Sequence, residues 1–271
     1  MNIAALARRT VVYVLLSIAA FLSVFPFYWM IVGSTNRSAD VVIGKATPGG
    51  ALFTNIASFF ATIDVLRVFW NSFLIAGIGT VLTLLVSSLA GYGFEMFRSR
   101  FRDRLFAFLL VLLSIPFAAL MVPLFVMISS AHLNNTFVAV LLPGLASIFI
   151  IFYFRQATKA FPSELRDAAR VDGLKEWQIF LFVYLPVMRS TYAAATIIVF
   201  LANWNNYLWP LIVLNTAENK TATLVISALT SAYTPDYGMI LFGTVLVTLP
   251  TLAIFFLLQR QFVEGLVGSV K

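Results

Sequence analysis

The sequence predicts an all-α integral membrane protein with six transmembrane helices and with both termini in the cytoplasm. Three observations support this prediction: 61% of the residues are hydrophobic, several apolar runs are as long as a bilayer is thick, and basic residues concentrate in one set of loops. The mean hydropathy of +0.95 lies far from that of soluble domains. With 271 residues the chain has room for little besides one membrane domain, so we predict a single domain over residues 1–271.

Each predicted span is a run of about 20 apolar residues. The first run follows Arg8 and Arg9 and continues through Phe25 and Trp29. It is too long for the apolar core of a cleaved signal peptide, so we expect it to remain as a span. The predicted spans cover roughly residues 11–32, 69–94, 105–127, 137–154, 188–211 and 237–258.

Small residues and prolines modify these spans. Small residues such as Ser72, Gly79 and Gly91 recur in the second span and let helix backbones approach closely in lipid. Simple helix packing explains them, and so does a helix that slides against its neighbour. Prolines interrupt helical hydrogen bonding, so we expect kinks where they fall inside or beside a span, at Pro116, Pro123, Pro143 and Pro250.

The basic residues predict the orientation, because cytoplasmic loops carry an excess of Lys and Arg. With the N-terminus inside, all of the 18 basic residues except Arg37, Lys45, Arg67 and Lys220 fall in cytoplasmic segments. The same distribution explains the net charge of +7 without a nucleic-acid partner.

Several kinds of chemistry are missing from the sequence. There is no GxxxxGK[ST] loop for a nucleotide and no GxSxG or HExxH motif, and there is no cysteine. The single histidine, His132, is interpreted as a loop residue rather than a metal ligand. No predicted span has an ionisable residue near its centre, which disfavours proton coupling and leaves sodium coupling open. We therefore expect a transport subunit that is not an enzyme and that binds no cofactor or metal.

One cytoplasmic segment stands apart from the apolar chain. Half of the residues in ELRDAARVDG, residues 164–173, are charged. Ser163 suits a helix N-cap, Asp167 can pair with Arg170 at i,i+3, and Gly173 suits a C-terminal cap. The apolar face is thin for a membrane-surface anchor. We therefore predict a short helix over Ser163 to Asp172 that docks onto another protein.

This segment resembles the EAA loop of ABC importer permeases. The family pattern is E-A-A, three residues, G, nine residues, then I-x-L-P. The chain has Asp167-Ala168-Ala169, then Gly173, then Val183-Tyr184-Leu185-Pro186 at the same spacing, with Asp in place of Glu and Val in place of Ile. The end of the chain, residues 259–266 and 268–271, also resembles the smaller maltose-type permease subunit. Over the whole chain the resemblance is closest to the lactose- and arabinose-type members.

The resemblance implies a type I ABC importer permease in a bacterial or archaeal cytoplasmic membrane. The partners it implies are a second permease subunit in a heterodimer, two copies of a cytoplasmic P-loop ATPase that holds ATP and Mg²⁺, and an extracytoplasmic sugar-binding protein. The helix in the cytoplasmic loop 155–187 would transmit closure of the ATPase to the membrane helices. The residues implied in this coupling are Glu164, Asp167, Ala168, Ala169, Arg170, Asp172 and Gly173.

A second candidate site is the cluster NWNNYLWP, residues 203–210, late in the fifth span. Amides can bind sugar hydroxyls and aromatic faces can cover sugar C–H surfaces, whereas an interfacial aromatic belt is the alternative, above all for Trp209. The predicted solute pathway consists of Asn203, Trp204, Asn205, Asn206 and Tyr207.

The polar outer loop over residues 215–236 is either a plain connector or, as the resemblance implies, a contact of the binding protein. The function predicted overall is import of a disaccharide or oligosaccharide. The alternatives are a permease for another solute class such as glycerol phosphate, and a solitary secondary carrier.

Overall fold

The computed structural model describes residues 3–267, and these residues form helices and connecting turns without any strand. The final four residues of the likeness at the chain end, 268–271, lie outside this range. The α-helices, numbered in chain order, are α1 Ile3–Ser34, α2 Ser38–Val42, α3 Leu52–Thr62, α4 Val65–Met96, α5 Arg100–Leu112, α6 Phe117–Ser130, α7 Phe137–Leu141, α8 Ile148–Thr158, α9 Ser163–Val171, α10 Glu176–Ile179, α11 Leu185–Val187, α12 Arg189–Trp204, α13 Leu208–Val213, α14 Ala222–Thr230 and α15 Tyr237–Val267.

The chain divides into two compact units. The first comprises the described residues of Met1–Val65 together with Val225–Leu249. The second comprises Leu66–Leu224 together with the described residues of Pro250–Lys271, and it contains both candidate sites.

Within residues 3–267, four helical stretches are long and apolar enough to cross a membrane. Two further pairs of helices reach that length only if each pair counts as one bent span, which gives up to six spans. The four stretches are Arg9–Ser34, Val65–Met96, Arg189–Val213 and Tyr237–Arg260.

The two bent pairs correspond to predicted spans 105–127 and 137–154. Helices α5 and α6 meet at 102°, and Pro116 stands in extended backbone at the start of α6. The chain bends by 46° between α7 and α8, where Pro143 lies in a 3₁₀ turn. Pro123 and Pro250 instead lie inside continuous helices, α6 and α15. The expected prolines therefore break the chain at two of their four positions.

Small residues of α4 bring other helices close, as the sequence predicted. A Cβ placed on Gly91 would lie 2.7 Å from the Cβ of Phe154 and 2.8 Å from the backbone nitrogen of Arg155. A Cβ on Gly79 would lie 2.9 Å from the amide nitrogen of Asn203. Glycine is therefore needed where α4 packs against the backbone of α8, whereas near Gly79 the closest atoms belong to the side chains of Asn203 and Leu141, which can shift.

In the first unit, a buried amide holds the end of α1 against α3. The Asn55 side chain donates hydrogen bonds to the backbone oxygens of Ser34, at 2.8 Å, and Asn36, at 2.9 Å. Phe59, one turn further along α3, packs edge-on against Phe242 with ring centroids 5.6 Å apart. The carbonyl of the last helical residue and one carbonyl just beyond it thus find a partner away from water.

Candidate functional site

Helix α9 is the charged helix that the sequence predicts, and its C-terminal end is closed by hydrogen bonds around Gly173. Gly173 has a φ of +82°, which glycine adopts without strain. Its N–H donates to the oxygen of Arg170, and the Leu174 N–H donates to the oxygen of Ala169, both at 3.0 Å. These two bonds are the Schellman arrangement. The predicted glycine cap is therefore confirmed.

The predicted helix start at Ser163 is confirmed, but Ser163 is not the N-cap residue. Pro162 occupies the N-cap position in extended backbone, and no side chain accepts a capping hydrogen bond there. Ser163 is already the first helical residue. The helix is held at this end by its proline, whose fixed φ suits the turn into a helix.

The residues predicted to contact the ATPase do not all face outward. Glu164, Asp167, Ala168, Arg170, Asp172 and Gly173 are exposed. Ala169 is only 6% exposed and packs inside its own chain, so the predicted alanine patch is divided between two faces. The outward face also carries two apolar side chains, Leu165 and the 88% exposed Val171.

Arg170 forms its ion pair with Glu176 rather than with Asp167, the partner that the sequence suggested. The Arg170 Nε and one terminal nitrogen donate to the same Glu176 oxygen at 2.8 Å and 2.5 Å. Sequence reasoning missed Glu176 because the pairing reaches across the turn at Gly173. The signal available was a carboxylate just beyond a glycine that reverses the chain.

Glu176 binds two further groups. A terminal nitrogen of Arg166 donates to the same carboxylate oxygen at 3.1 Å, and the Tyr92 hydroxyl donates to the other at 3.2 Å. Burial acts to raise the pKa of Glu176, but the Arg170 and Arg166 guanidinium groups outweigh it and hold the pKa below its usual value. The carboxylate is therefore ionised at neutral pH and joins α9, α10 and α4.

A second ionic cluster lies near the end of α4. The buried Arg155 of α8 donates to Glu95 at 3.4 Å and to Asp103 at 2.5 Å. Its guanidinium also lies over the ring of Phe106, 4.1 Å from the centroid. These contacts hold α4, α5 and α8 together where the predicted cytoplasmic loop begins.

The predicted solute cluster coincides with a break between helices. Helix α12 ends at Trp204, and α13 begins at Leu208. Trp204 is 2% exposed and packs among the rings of Phe69, Phe73 and Phe200, so it faces the protein interior. Asn205 is exposed and donates to the oxygen of Leu201. Tyr207 packs against the buried cluster around Trp209.

The other two residues of the predicted pathway, Asn203 and Asn206, line a cavity of about 280 Å³. The Asn203 amide nitrogen is buried and has no hydrogen-bond partner within the described residues. Trp209 also lines the cavity, and its indole N–H donates to the Ala139 oxygen at 2.9 Å. Trp209 is 1% exposed, so the interfacial-belt interpretation of this residue is wrong. The remaining lining residues carry no charge: Thr83, Phe117, Val140, Pro143, Gly144, Ser147, Phe149, Ile150, Ile198, Val199 and Ala202.

The first part of the predicted outer loop is held by hydrogen bonds to other residues of the second unit. Asn135, with a φ of +60°, accepts hydrogen bonds on its side-chain oxygen from the backbone of Asn215 and Thr216. The Thr223 hydroxyl donates to the backbone oxygen of Asn206 at 3.2 Å, which ties the loop to the cavity wall. This part of the loop is therefore an ordered element and not a loose connector.

Apolar helices around an uncharged cavity, with a charged helix facing outward, define a multi-pass membrane protein of the transport class. Comparison with known families identifies it further. The family described as binding-protein-dependent transport system inner membrane component matches residues 84–266, and this chain belongs to that family. It is thus an inner-membrane transport component, as the sequence predicted.

Curated relatives match nearly the whole chain. The lactose transport system permease protein LacG of Rhizobium radiobacter is 65% identical over 259 residues, which cover 96% of this chain and 95% of that protein. The arabinooligosaccharides transport system permease protein AraQ of Bacillus subtilis (strain 168) is 34% identical over 268 residues, which cover 97% and 94%. The sn-glycerol-3-phosphate transport system permease protein UgpE of Agrobacterium fabrum is 28% identical over 275 residues, which cover 97% of each chain. The predicted likeness to lactose- and arabinose-type permeases is confirmed.

A solved structure matches the fold. It is described as the crystal structure of a bacterial ABC transporter involved in the import of the acidic polysaccharide alginate, and one of its chains gives a TM-score of 0.81 at 20% identity. The match covers 97% of this chain and 99% of that chain. The fold is therefore that of an ABC importer permease subunit.

Proposed function

We propose that this chain is one half of the permease pair in an ATP-driven, binding-protein-dependent sugar importer, and that α9 couples it to the ATPase. The observation that carries the proposal is the outward face of α9, where Leu165, Ala168 and Val171 are exposed beside Glu164 and Asp167. Val171 is 88% exposed, although it lies in a segment in which half of the residues are charged, as is typical of a loop that faces water. An apolar centre rimmed by charged residues is the usual composition of a protein-docking surface.

The proposed topology has six spans and cytoplasmic termini. The distribution of Lys and Arg supports it, because the loop that contains α9 is rich in basic residues. Counting each bent helix pair as one span supplies the number six. This topology exposes α9 to the cytoplasm, where ATP and Mg²⁺ would be held by two copies of a separate P-loop ATPase. The chain itself would bind no cofactor.

On the outer side of the membrane, the loop over residues 215–236 would bind an extracytoplasmic sugar-binding protein. Its attachment to Asn135 and to the backbone of Asn206 supports this role, because an ordered loop loses less conformational entropy on binding. A second permease subunit would complete a heterodimer around the solute pathway.

The cavity supports a neutral sugar as the solute. Asn203 and Asn206 offer amide groups for hydroxyls, and Trp209 offers an aromatic face. Its volume of about 280 Å³ lies near the ~300 Å³ lower limit of ligand pockets, which suits one sugar unit of a longer solute. The LacG and AraQ relatives, whose names refer to lactose and arabinooligosaccharides, also support this class.

Glycerol phosphate is a second candidate, because the UgpE relative is named for it. A phosphate needs cationic side chains or convergent backbone N–H groups to balance its charge. The lining of this cavity contains no Lys or Arg, so the geometry favours the uncharged sugar.

Purification from native membranes in mild detergent tests the proposed assembly. We expect the tagged chain to recover a P-loop ATPase, a second permease and a binding protein. Uptake of labelled lactose, arabinooligosaccharide and glycerol phosphate into vesicles with the binding protein then distinguishes the solutes. Recovery of the chain alone, with uptake that follows an ion gradient, would contradict the proposal and indicate a solitary secondary carrier.

The docking face is tested by Ala168→Glu, which places a carboxylate on the exposed side of α9. We expect this variant to lose the ATPase during purification, whereas Lys159→Gln in the same loop should retain it. Ala169→Glu is unsuitable, because Ala169 is buried in its own chain and the change would disturb folding as well. Full ATPase recovery with Ala168→Glu would exclude this face from docking.

A further inference from the structure

We propose that Glu176 is a positioning residue that fastens the coupling helix α9 to the end of α4, so that the two move as one body when the ATPase closes. This inference rests on the proposed function, since it concerns how a displacement of α9 reaches the membrane helices. Glu176 occupies one of the nine unspecified positions of the EAA-like pattern and was not among the residues that the sequence singled out.

Helix α9 is linked to Glu176 by ion pairs. Two arginines on α9, one turn apart, converge on a single oxygen of this carboxylate, with nitrogen–oxygen distances of 2.5 to 3.1 Å. Charged hydrogen bonds of this kind are stronger than neutral ones and restrict orientation. Arg166 and Arg170 therefore tie α9 to Glu176, while Leu165, Ala168 and Val171 remain exposed.

The same cluster is also linked to α4. The other oxygen of Glu176 accepts from the hydroxyl of Tyr92, a buried residue of α4. Arg166 reaches the same helix end directly, because it donates to the Met96 oxygen at 3.4 Å and lies over the ring of Phe97 at 4.9 Å. Two separate paths thus connect α9 to the last turns of α4.

Helix α9 is also joined to α10 by the chain itself. Between α9 and α10 the chain passes through Gly173, whose backbone φ of +82° marks a reversal. A Cβ at Gly173 would meet nothing within 4 Å. The backbone turn thus connects α9 to α10, and the contacts of Glu176 and Arg166 carry this connection on to α4.

The test uses the complete importer with its partner permease, ATPase and binding protein, reconstituted in vesicles. Glu176→Gln keeps the shape of the side chain but removes its charge. We expect the complex to assemble as before and the solute transported per ATP hydrolysed to fall about tenfold, the factor that corresponds to one charged hydrogen bond. Lys159→Gln is the matched control, because it removes one charge from the same loop, where the exposed Lys159 side chain donates a hydrogen bond to Gln156.

A distance measurement separates positioning from a general structural effect. The chain contains no cysteine, so spin labels can be placed at Ser163→Cys on α9 and Gly93→Cys on α4 without background. A Cβ at Gly93 meets nothing within 4 Å. We expect the distance between the labels to be the same with and without ATP in the unmodified chain, and to broaden or shift with ATP in Glu176→Gln.

Charge exchange supplies a third measurement. Glu176→Arg places three guanidinium groups together and should uncouple the importer more severely than Glu176→Gln. Adding Arg170→Glu restores one opposite pair and should recover part of the coupling.

Three results would overturn the inference. The first is unchanged coupling in Glu176→Gln, and the second is an α9–α4 distance that varies with ATP in the unmodified importer. The third is loss of assembly in both Glu176→Gln and Arg170→Gln, which would assign the cluster to folding. The proposed function fails differently, because the unmodified chain would then recover no ATPase.

Discussion

Substitution of Gly173 by alanine isolates the backbone conformation at the end of α9. A Cβ at this position would touch nothing, so no steric clash contributes and the cost is that of a left-handed φ of +82°. For a residue with a Cβ this conformation costs about 1–2 kcal/mol. The strain acts on the two hydrogen bonds that close the helix, from the amides of residues 173 and 174.

Hydrogen exchange measures this cost where it arises. A loss of about 1–2 kcal/mol increases the open fraction roughly 5- to 30-fold, so the amides of residues 173 and 174 should exchange faster by that factor. Solute uptake should fall as well, because the docking helix loses its defined end. Asn tolerates a positive φ, so Gly173→Asn should lie between the natural chain and Gly173→Ala.

Gly44 offers a matched control in the first unit. It has a φ of +78°, a Cβ there would also meet nothing within 4 Å, and the same pair of hydrogen bonds closes α2 around it. Gly44→Ala should therefore show faster exchange at residues 44 and 45 with uptake unchanged. Unaltered exchange at residues 173 and 174 in Gly173→Ala would refute the strain argument, and altered exchange with full uptake would refute the coupling role.

Three further predictions concern the cavity, the first unit and pH. Asn203→Ala or Asn206→Ala should each raise the half-saturating solute concentration about 3- to 10-fold, which is the effect of one lost hydrogen bond. Thr196→Ala on α12 should leave this concentration unchanged, and uptake kinetics measure the difference. Asn55→Ala leaves two buried carbonyls unpaired and should cost about 1–3 kcal/mol, seen as a lower Tm than that of Thr62→Ala. Because the folded-state pKa of Glu176 lies below its ordinary value of 4.5, its contribution to α9 stability is present above that pH and is lost as pH falls through the lowered pKa. Amide exchange of residues 163–176 should therefore gain an acid-dependent component in the natural chain that is missing from Glu176→Gln, and equal pH profiles would count against the ion cluster.

Local features of the site could be predicted from the sequence, whereas contacts across turns could not. The glycine that ends α9 was predictable because the capping bonds join residues within one turn. Glu176 was missed because its partners lie on another helix and across a chain reversal. The inward direction of Ala169 likewise depends on what packs behind the helix, which periodicity over nine residues does not reveal.

In the membrane spans, too, local features could be predicted from the sequence, whereas contacts between distant residues could not. The apolar runs predicted the long helices, but Pro116 and Pro123 look alike in sequence and differ in the structure. Pro116 ends up between two helices at 102°, whereas Pro123 stays inside α6. Neighbouring groups decide whether a freed carbonyl is satisfied inside a helix, and these neighbours are distant in sequence. Similarly, Trp204 and Asn203 are adjacent, and only the packing of Phe69 and Phe73 distinguishes the interior position from the cavity position.

Within the second unit, the single long helix α4 connects the Glu176 cluster with the cavity. Tyr92 donates a hydrogen bond to Glu176, and Gly79 lies near Asn203 at the cavity, where an added Cβ would be 2.9 Å from the Asn203 amide nitrogen. Thirteen residues of one uninterrupted helix separate these points, a length of roughly 20 Å. If this segment of α4 tilts by only about 5° about one end, its other end moves by roughly 2 Å, which is enough to make or break a hydrogen bond. If α9 docks onto an ATPase and the cavity holds a solute, as proposed, a small rotation of α4 near α9 would also change the contacts around the solute.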